Sequence, residues 1–399
     1  MNFRNQFPKD HAGITSGTFD MVAKTFRGLE DVLAGEIEAI GGSKIRKGTR
    51  VVHFSGNKEL MYRANFQLRT ALRILIPFYE FRAKDDNELY TGALKFDWSA
   101  LIRKNMTFAI DGVLNSPYFN HSGYISLKVK DAIADQFLKK TGKRPDVNTA
   151  DPDIRLNLHI SDDRCTLLLD SSGESLHKRG YRSGASPAPL NEVLAAGMIM
   201  LTGWDRKSDF IDPMCGSGTI PIEAAMMAYN IPPGIYRKQF AFEKWTDFDR
   251  TLMESIYNED YPDSSAFFQI TGSDISPRSI KMARSNAKNA FLGKKIDFKI
   301  SPFENMIPAG KGGVLVANPP YGGRLKQENL RAFHVKLGDC LKKNYQGFTA
   351  WILTSNLEAL KFTGLRPDRK ILLFNGPLEC RFVRYNIYKG SKKQNRQLL

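Results

Sequence analysis

Cysteine is scarce. The 399 residues hold four, Cys165, Cys215, Cys340 and Cys380, and no two stand in C-x-x-C spacing. That excludes a disulfide framework and a zinc ribbon. Histidine numbers only six, with no pair at ligand spacing, so no metal is expected. No uninterrupted apolar run approaches the length that spans a bilayer, and the start, MNFRNQFPKD, lacks the apolar core of a secretion signal. Internal repeats and low-complexity tracts are missing too. These absences lead to the expectation of a soluble, cytoplasmic, metal-free chain. Acidic residues are also in deficit, 42 against 58 basic, for a net charge of +16. An excess of that size favours a polyanionic partner, because each phosphate neutralised releases condensed counterions. The alternative is a generally basic surface, since charge reports on association and not on fold.

What is present is organised in two rhythms. Residues 1–20 are polar and glycine-containing and read as a flexible arm. In MVAKTFRGLEDVLAGEIEAIGG, Leu29, Val32, Leu33, Ile37 and Ile40 recur at helical spacing until Gly41 and Gly42 stop the helix. RVVHF is a short strand, and NKELMYRANFQLRTALRILI reads as a second helix closed near Pro77. From about 80 to 180, strands (TFAID, DIRLNLHI, CTLLLD) surround the helix ISLKVKDAIADQFLKKTG. The end of that helix gathers Lys139, Lys140, Lys143 and Arg144, which either complement the helix dipole or face phosphate. HKRGYRSGASPAPL (177–190) has the composition of a linker. Beyond it, strand and helix alternate: DFID, GTIPIEAAMMAY, FFQITGSD, SIKMARSNAKNAF, VLVAN, LRAFHVKLGDCLKKN, TAWILTS. Such alternation predicts a doubly wound, largely parallel α/β sheet. RKILLF and CRFVRYNIY then flank Asn375 and Gly376 as an antiparallel hairpin, with a loop expected to exceed two residues. A parallel sheet finished by such a hairpin is the class I, Rossmann-like methyltransferase pattern.

Three motifs follow the strands. Asp212 opens DPMCGSGT, in which Gly216 and Gly218 carry no Cβ and permit close backbone approach to a ligand. Cys215 and Thr219 belong to the same turn. The helix after it offers N–H groups to a carboxylate, and Asp212 an anion to an ammonium, the two ends of an amino acid. A dinucleotide-binding G-x-G-x-x-G is excluded by Pro221, so S-adenosyl-L-methionine is the expected cofactor. Asp274, tipping the next strand, suits the two hydroxyls of a ribose, with Ile275 beside it at the nucleoside; capping the following helix is its alternative role. Asp274 follows Asp212 by far more than the roughly 20 residues of a compact unit, so 230–265 reads as an insertion. The third motif is Asn318, Pro319, Pro320 and Tyr321. An amide oxygen and the Pro319 carbonyl can accept hydrogen bonds from a planar NH₂ group and aim its lone pair at a sulfonium methyl. The prolines fix the backbone, and Tyr321 offers a stacking face.

FRGLEDVLAGEI, DWSALIRKNMTFAID, VKDAIADQF, LHKRGYR, DPMCGSGTIPIEAA, NPPYGGRL, LTSN and LFNGPLECRF together resemble the THUMP-containing bacterial RNA guanine-N2 methyltransferases, specifically the large-subunit (23S) ribosomal RNA group. The resemblance implies an α+β ferredoxin-like region (21–78), a THUMP RNA-binding domain (79–175), a class I methyltransferase domain (185–390) and a basic tail (391–399). It implies RNA as partner and guanine N2 as acceptor. Position by position, Asp212, Gly216 and Gly218 would line the methionine side, Asp274 the ribose, and Asn318, Pro319, Pro320 and Tyr321 the guanine. The family often has an acid after the third strand for the adenine amino group; here ISPFE offers Glu304, with backbone amides as the alternative. The second methyltransferase half of fused relatives is lacking, so a single modification is expected. The same tetrapeptide also suits tRNA guanine, DNA adenine or protein glutamine, and a non-catalytic RNA-binding protein would retain the same fold. The cationic stretch Arg366, Arg369, Lys370, Arg381, Arg384, Lys389, Lys392, Lys393 and Arg396 fits an RNA backbone or a solvated end.

Overall fold

The structure, a computed structural model, describes residues 14–184, 189–259, 268–320 and 327–388. Tyr321, the tail 391–399 and most of the N-terminal arm lie outside the described residues. The chain divides into two compact units, and both are discontinuous. Of the described residues, one gathers those up to Thr25, Leu33–Leu176 and Arg237–Glu259; the other gathers Phe26–Val32, those within His177–Tyr236 and those from 268 onward.

In the first unit, β1 (Phe19–Lys24), α1 (Glu30–Ala39), β2 (Ser43–Gly48), β3 (Val51–Gly56), α2 (Lys58–Gln67) and β4 (Arg73–Arg82) lead into α3 (Asp86–Leu94), β5 (Phe108–Asn115), α4 (Ser122–Thr141), β6 (Ile154–Ser161) and β7 (Arg164–Asp170). The strands form a sheet in the order β2-β3-β1-β4-β7-β6-β5. The antiparallel pairing of β4 with β7 makes one sheet of two regions that read separately in sequence.

Two helix expectations are corrected here. Residues 19–24 are a strand, and the helix begins only at Glu30. Leu29, fully buried, precedes that helix and fills the space a Cβ at Gly197 would take. Burying such a side chain contributes about 1.5–3 kcal/mol. The second helix ends at Gln67, and RILIPF belongs to β4, with Pro77 inside the strand at an irregularity in its pairing to β7. An unbroken apolar run fits a buried strand as well as a helix, and only pairing partners decide. Of the basic cluster ending α4, Lys140 pairs with Asp97 at 2.5 Å and Arg144 with Asp135 at 3.1 Å. These exposed pairs contribute little stability.

The segment expected as an insertion supplies α7 (Arg250–Tyr257) to the first unit, after the second unit's α5 (Glu192–Thr202), β8 (Asp209–Asp212) and α6 (Thr219–Ala228). Its aromatic residues account for this. Phe242 stacks on Tyr62 with centroids 4.3 Å apart, and the Asp249 N–H donates to the Tyr62 hydroxyl at 2.9 Å.

The second unit continues through β9 (Ile270–Asp274), α8 (Pro277–Asn289), β10 (Asp297–Ile300), β11 (Gly313–Ala317), α9 (Gln327–Asn344), β12 (Phe348–Thr354), α10 (Leu357–Leu360), β13 (Arg369–Asn375) and β14 (Leu378–Asn386). Its sheet runs β10-β9-β8-β11-β12-β14-β13. All neighbours are parallel except β14, which lies antiparallel between β12 and β13. The hairpin loop is shorter than expected: Asn375 pairs with Leu378, leaving Gly376 and Pro377 as the turn. Gly376 has φ +62°, as the first position of a II′-type turn requires. The Trp351 and Phe382 rings stack at 4.7 Å between β12 and β14. Because β8 has β9 on one side and β11 on the other, the strand order reverses at β8. A crevice opens there at the carboxyl ends of the strands.

Candidate functional site

The crevice contains a cavity of about 730 Å³, within the range that holds a cofactor-sized ligand. The structure brings Asp212, Cys215, Gly216, Thr219, Asp274, Ile275, Glu304, Asn318 and Pro320 together around it. Gly218 and Pro319 do not line it, and Tyr321 lies outside the described residues.

The turn after β8 is fastened to β9 by the backbone. The Cys215 N–H donates to the Ser273 carbonyl at 2.8 Å, and the Gly216 N–H to Asp274 Oδ2 at 3.0 Å. The two glycines have different reasons to be there. A Cβ on Gly216 would meet nothing within 4 Å, whereas on Gly218 it would lie 2.9 Å from the Ala283 Cβ. Gly218, at φ +85°, therefore serves the packing of α6 against α8 and not ligand approach. As the N-cap of α6 it supplies no side-chain cap, so the helix presents first-turn N–H groups without an internal acceptor.

Three carboxylates line the cavity, Asp212, Asp274 and Glu304. Asp212 is 1% exposed. Burial pushes its carboxyl well above the usual range, the Met214 N–H at 3.1 Å opposes this, and the negative Asp274 adds to it. Asp274 accepts from the N–H groups of Gly216 and Ser276, the latter at 2.8 Å. Its expected alternative role, capping α8, falls instead to Ser276, whose hydroxyl accepts from the Ser279 N–H. Burial, with Asp212 and Asp274 adding, holds the Cys215 thiol far above its ordinary pKa, so the wall carries no thiolate nucleophile. Ile275 is 72% exposed at the cavity rim, an apolar surface suited to a flat base.

At the far side, after β11, the Asn318 side-chain oxygen is buried and has no hydrogen-bond partner among the described residues. A buried acceptor left unpaired costs roughly 1–3 kcal/mol. On a cavity wall such a group is available to a ligand donor. Phe303 and Phe333, edge to face at 5.4 Å, and Glu304 wall the cavity nearby. Among the lining residues that sequence reasoning missed are Leu190, Ser217, Phe303 and Phe333. Ser217 stood inside the first motif, but Leu190 had only linker composition and Phe333 only helical periodicity to announce it.

Three family models match the chain. Residues 20–75 match an RlmL ferredoxin-like domain, 83–170 a THUMP domain, and 179–384 an RMKL-like methyltransferase domain. A Synechocystis sp. protein, provisionally named an RNA methyltransferase, is 36% identical over 95% of this chain and 100% of its own. The chain belongs to the THUMP-domain RNA methyltransferases. Like other members of that family it depends on S-adenosylmethionine. A solved methyltransferase-like protein in complex with S-adenosylhomocysteine has 29% identity, a TM-score of 0.84, and coverage of 94% of this chain and 99% of its own. A Listeria monocytogenes protein named as a predicted N6-adenine-specific DNA methylase superimposes with a TM-score of 0.82 at 30% identity, covering 94% and 97%. Among the described residues of this THUMP-domain methyltransferase, no helix is long and apolar enough to cross a membrane.

Proposed function

We propose that this chain methylates the exocyclic N2 of a guanine in RNA, with large-subunit ribosomal RNA as the substrate. The single observation that carries the reading is the buried Asn318 oxygen on the cavity wall, without a partner among the described residues. An amino group delivered there donates one hydrogen to Asn318 and the other to the carbonyl of the adjacent Pro319, which does not itself line the cavity. Both bonds strengthen as the nitrogen loses its conjugation to the ring, so they favour the transition state over the ground state. Pro319 and Pro320 keep the acceptors in place. Tyr321 is proposed as the stacking face for the base.

The residues present fit S-adenosylmethionine, which supplies an electrophilic methyl group on a sulfonium. Asp212 would hold its ammonium, and the first turn of α6 its carboxylate. Asp274, its oxygens already fixed by two backbone donors, would accept the ribose hydroxyls. Ile275 would cover one face of the adenine, and Glu304 would accept from its amino group. Gly216 would let the backbone approach the ligand, and Cys215 and Thr219 would wall the same end.

A THUMP match over 83–170 supports RNA over DNA as the acceptor, and the net charge of +16 supports a nucleic acid over a protein. Mass spectrometry of ribosomal RNA nucleosides from cells with and without the gene tests the reading. Loss of N2-methylguanosine on deletion is expected, with restoration by the wild-type gene and not by an Asn318→Ala copy. Unchanged N2-methylguanosine, with a methylated adenine lost from DNA instead, would refute it.

A further inference from the structure

Arg182, in the stretch that reads as a linker, is bonded to the cofactor turn in a way the methyl transfer described above does not use. Its Nη2 donates to the Thr219 hydroxyl at 2.9 Å and to the Leu190 carbonyl at 2.7 Å. Its Nη1 lies 3.5 Å from the Ser217 hydroxyl, at the edge of hydrogen-bond range. Its Nε donates to Glu192, which is 3% exposed and balances its charge. Asn286, 2% exposed on α8, completes the frame. Its Nδ2 donates to the Ser217 carbonyl, and its Oδ1 accepts from the Ser183 N–H, both at 2.9 Å.

A hydroxyl that accepts from a guanidinium keeps one proton to donate. Among the described residues no acceptor meets that proton on Ser217 or on Thr219. Both side chains are more than nine-tenths buried, at 8% and 4% exposure, and both line the cavity. Two donors held against a cation, beside the uncapped first turn of α6, match a group that only accepts and has two oxygens. Resting on the cofactor assignment above, we propose that Arg182 is a positioning residue for the carboxylate of S-adenosylmethionine. It acts by fixing Ser217 and Thr219 as hydroxyl donors to that carboxylate. The ammonium of the same ligand faces Asp212, so the two ends of its amino acid are held by separate groups.

Calorimetric titration with S-adenosylmethionine and with its decarboxylated form, which keeps the adenosine, sulfonium and ammonium, tests this. Arg182→Gln should weaken S-adenosylmethionine by about tenfold or more, the loss expected for a charge-assisted bond. The decarboxylated ligand should change by less than about twofold, because a double-mutant cycle isolates only the shared contact. Thr219→Val, nearly isosteric, should reproduce the pattern and keeps the test decisive if Arg182→Gln does not fold. Equal losses for both ligands would reduce Arg182 to a structural tie, and no loss for either would dismiss it. Wild-type protein that binds neither ligand would refute the cofactor placement and, with it, the role of Arg182.

Discussion

Replacing Asn318 with alanine separates chemistry from folding at one atom. In the free protein the Asn318 oxygen is buried without a partner among the described residues. It therefore adds no hydrogen bond to the fold and bears a desolvation penalty of about 1–3 kcal/mol. Asn318→Ala removes that penalty together with a little packing, so the melting temperature should hold or rise. Affinity for S-adenosylmethionine should change by less than about threefold, because the oxygen is assigned to the acceptor base and not to the methyl donor. Turnover should behave differently. A preorganised acceptor whose bond strengthens at the transition state is worth about 2.7–4 kcal/mol, or 10²–10³ in rate. Single-turnover methylation of RNA, with calorimetry and a thermal melt on the same preparation, reads all three quantities. A rate within threefold of wild type refutes the catalytic role. A loss of several kcal/mol in stability would show instead that the amide is part of the fold.

Asp212 gives a pH dependence with a definite sign. Its carboxyl is raised by burial, and only the ionised form pairs with an ammonium, so cofactor affinity should fall as pH drops through that raised pKa. The same shift makes Asp212 a stabilising group only while protonated, with that stability lost as pH rises. Asp212→Asn should therefore flatten the pH profile of cofactor binding, weaken binding, and melt no lower than wild type at alkaline pH; a retained profile would shift the role elsewhere. Gly218→Ala forces a Cβ against Ala283 at φ +85° and should lower stability by about 1–3 kcal/mol, whereas Gly216→Ala, at φ +54° but with open space for its Cβ, should lower stability less and weaken cofactor binding more. Comparing thermal melts and titrations checks this, and the reverse ranking would contradict the packing argument. RNA affinity, measured by filter binding, should drop at least about tenfold between 50 and 200 mM salt. A flat response would dissociate the +16 charge from the substrate.

The charge ledger shows how sequence and structure divide the work. The excess of 16 was readable at once, but which cations are already paired was not. Arg384 is held by Asp368 at 2.8 Å and Arg381 by Glu379 at 2.8 Å, leaving fewer of the C-terminal cations for phosphate than their number suggests. Lys389, Lys392, Lys393 and Arg396 lie outside the described residues.

Sequence by itself determined the strand–helix alternation, the succession of the three motifs and the residue types at each, because these are properties of windows of ten or so residues. Their periodicity and turn chemistry are local. It also named nine of the residues on the cavity wall, since a parallel sheet brings the carboxyl ends of its strands to one edge. Only the tertiary structure decided that Phe26–Val32 and Arg237–Glu259 each belong to the unit their neighbours leave, that Gly218 answers to Ala283, and that Arg182 reaches Thr219. Each of those facts depends on which distant surface a side chain meets, and no local pattern encodes the partner. The unpaired oxygen of Asn318 is of the same kind. An asparagine in a loop has many local ways to satisfy itself, and only the tertiary structure shows that none of the described residues around it does so.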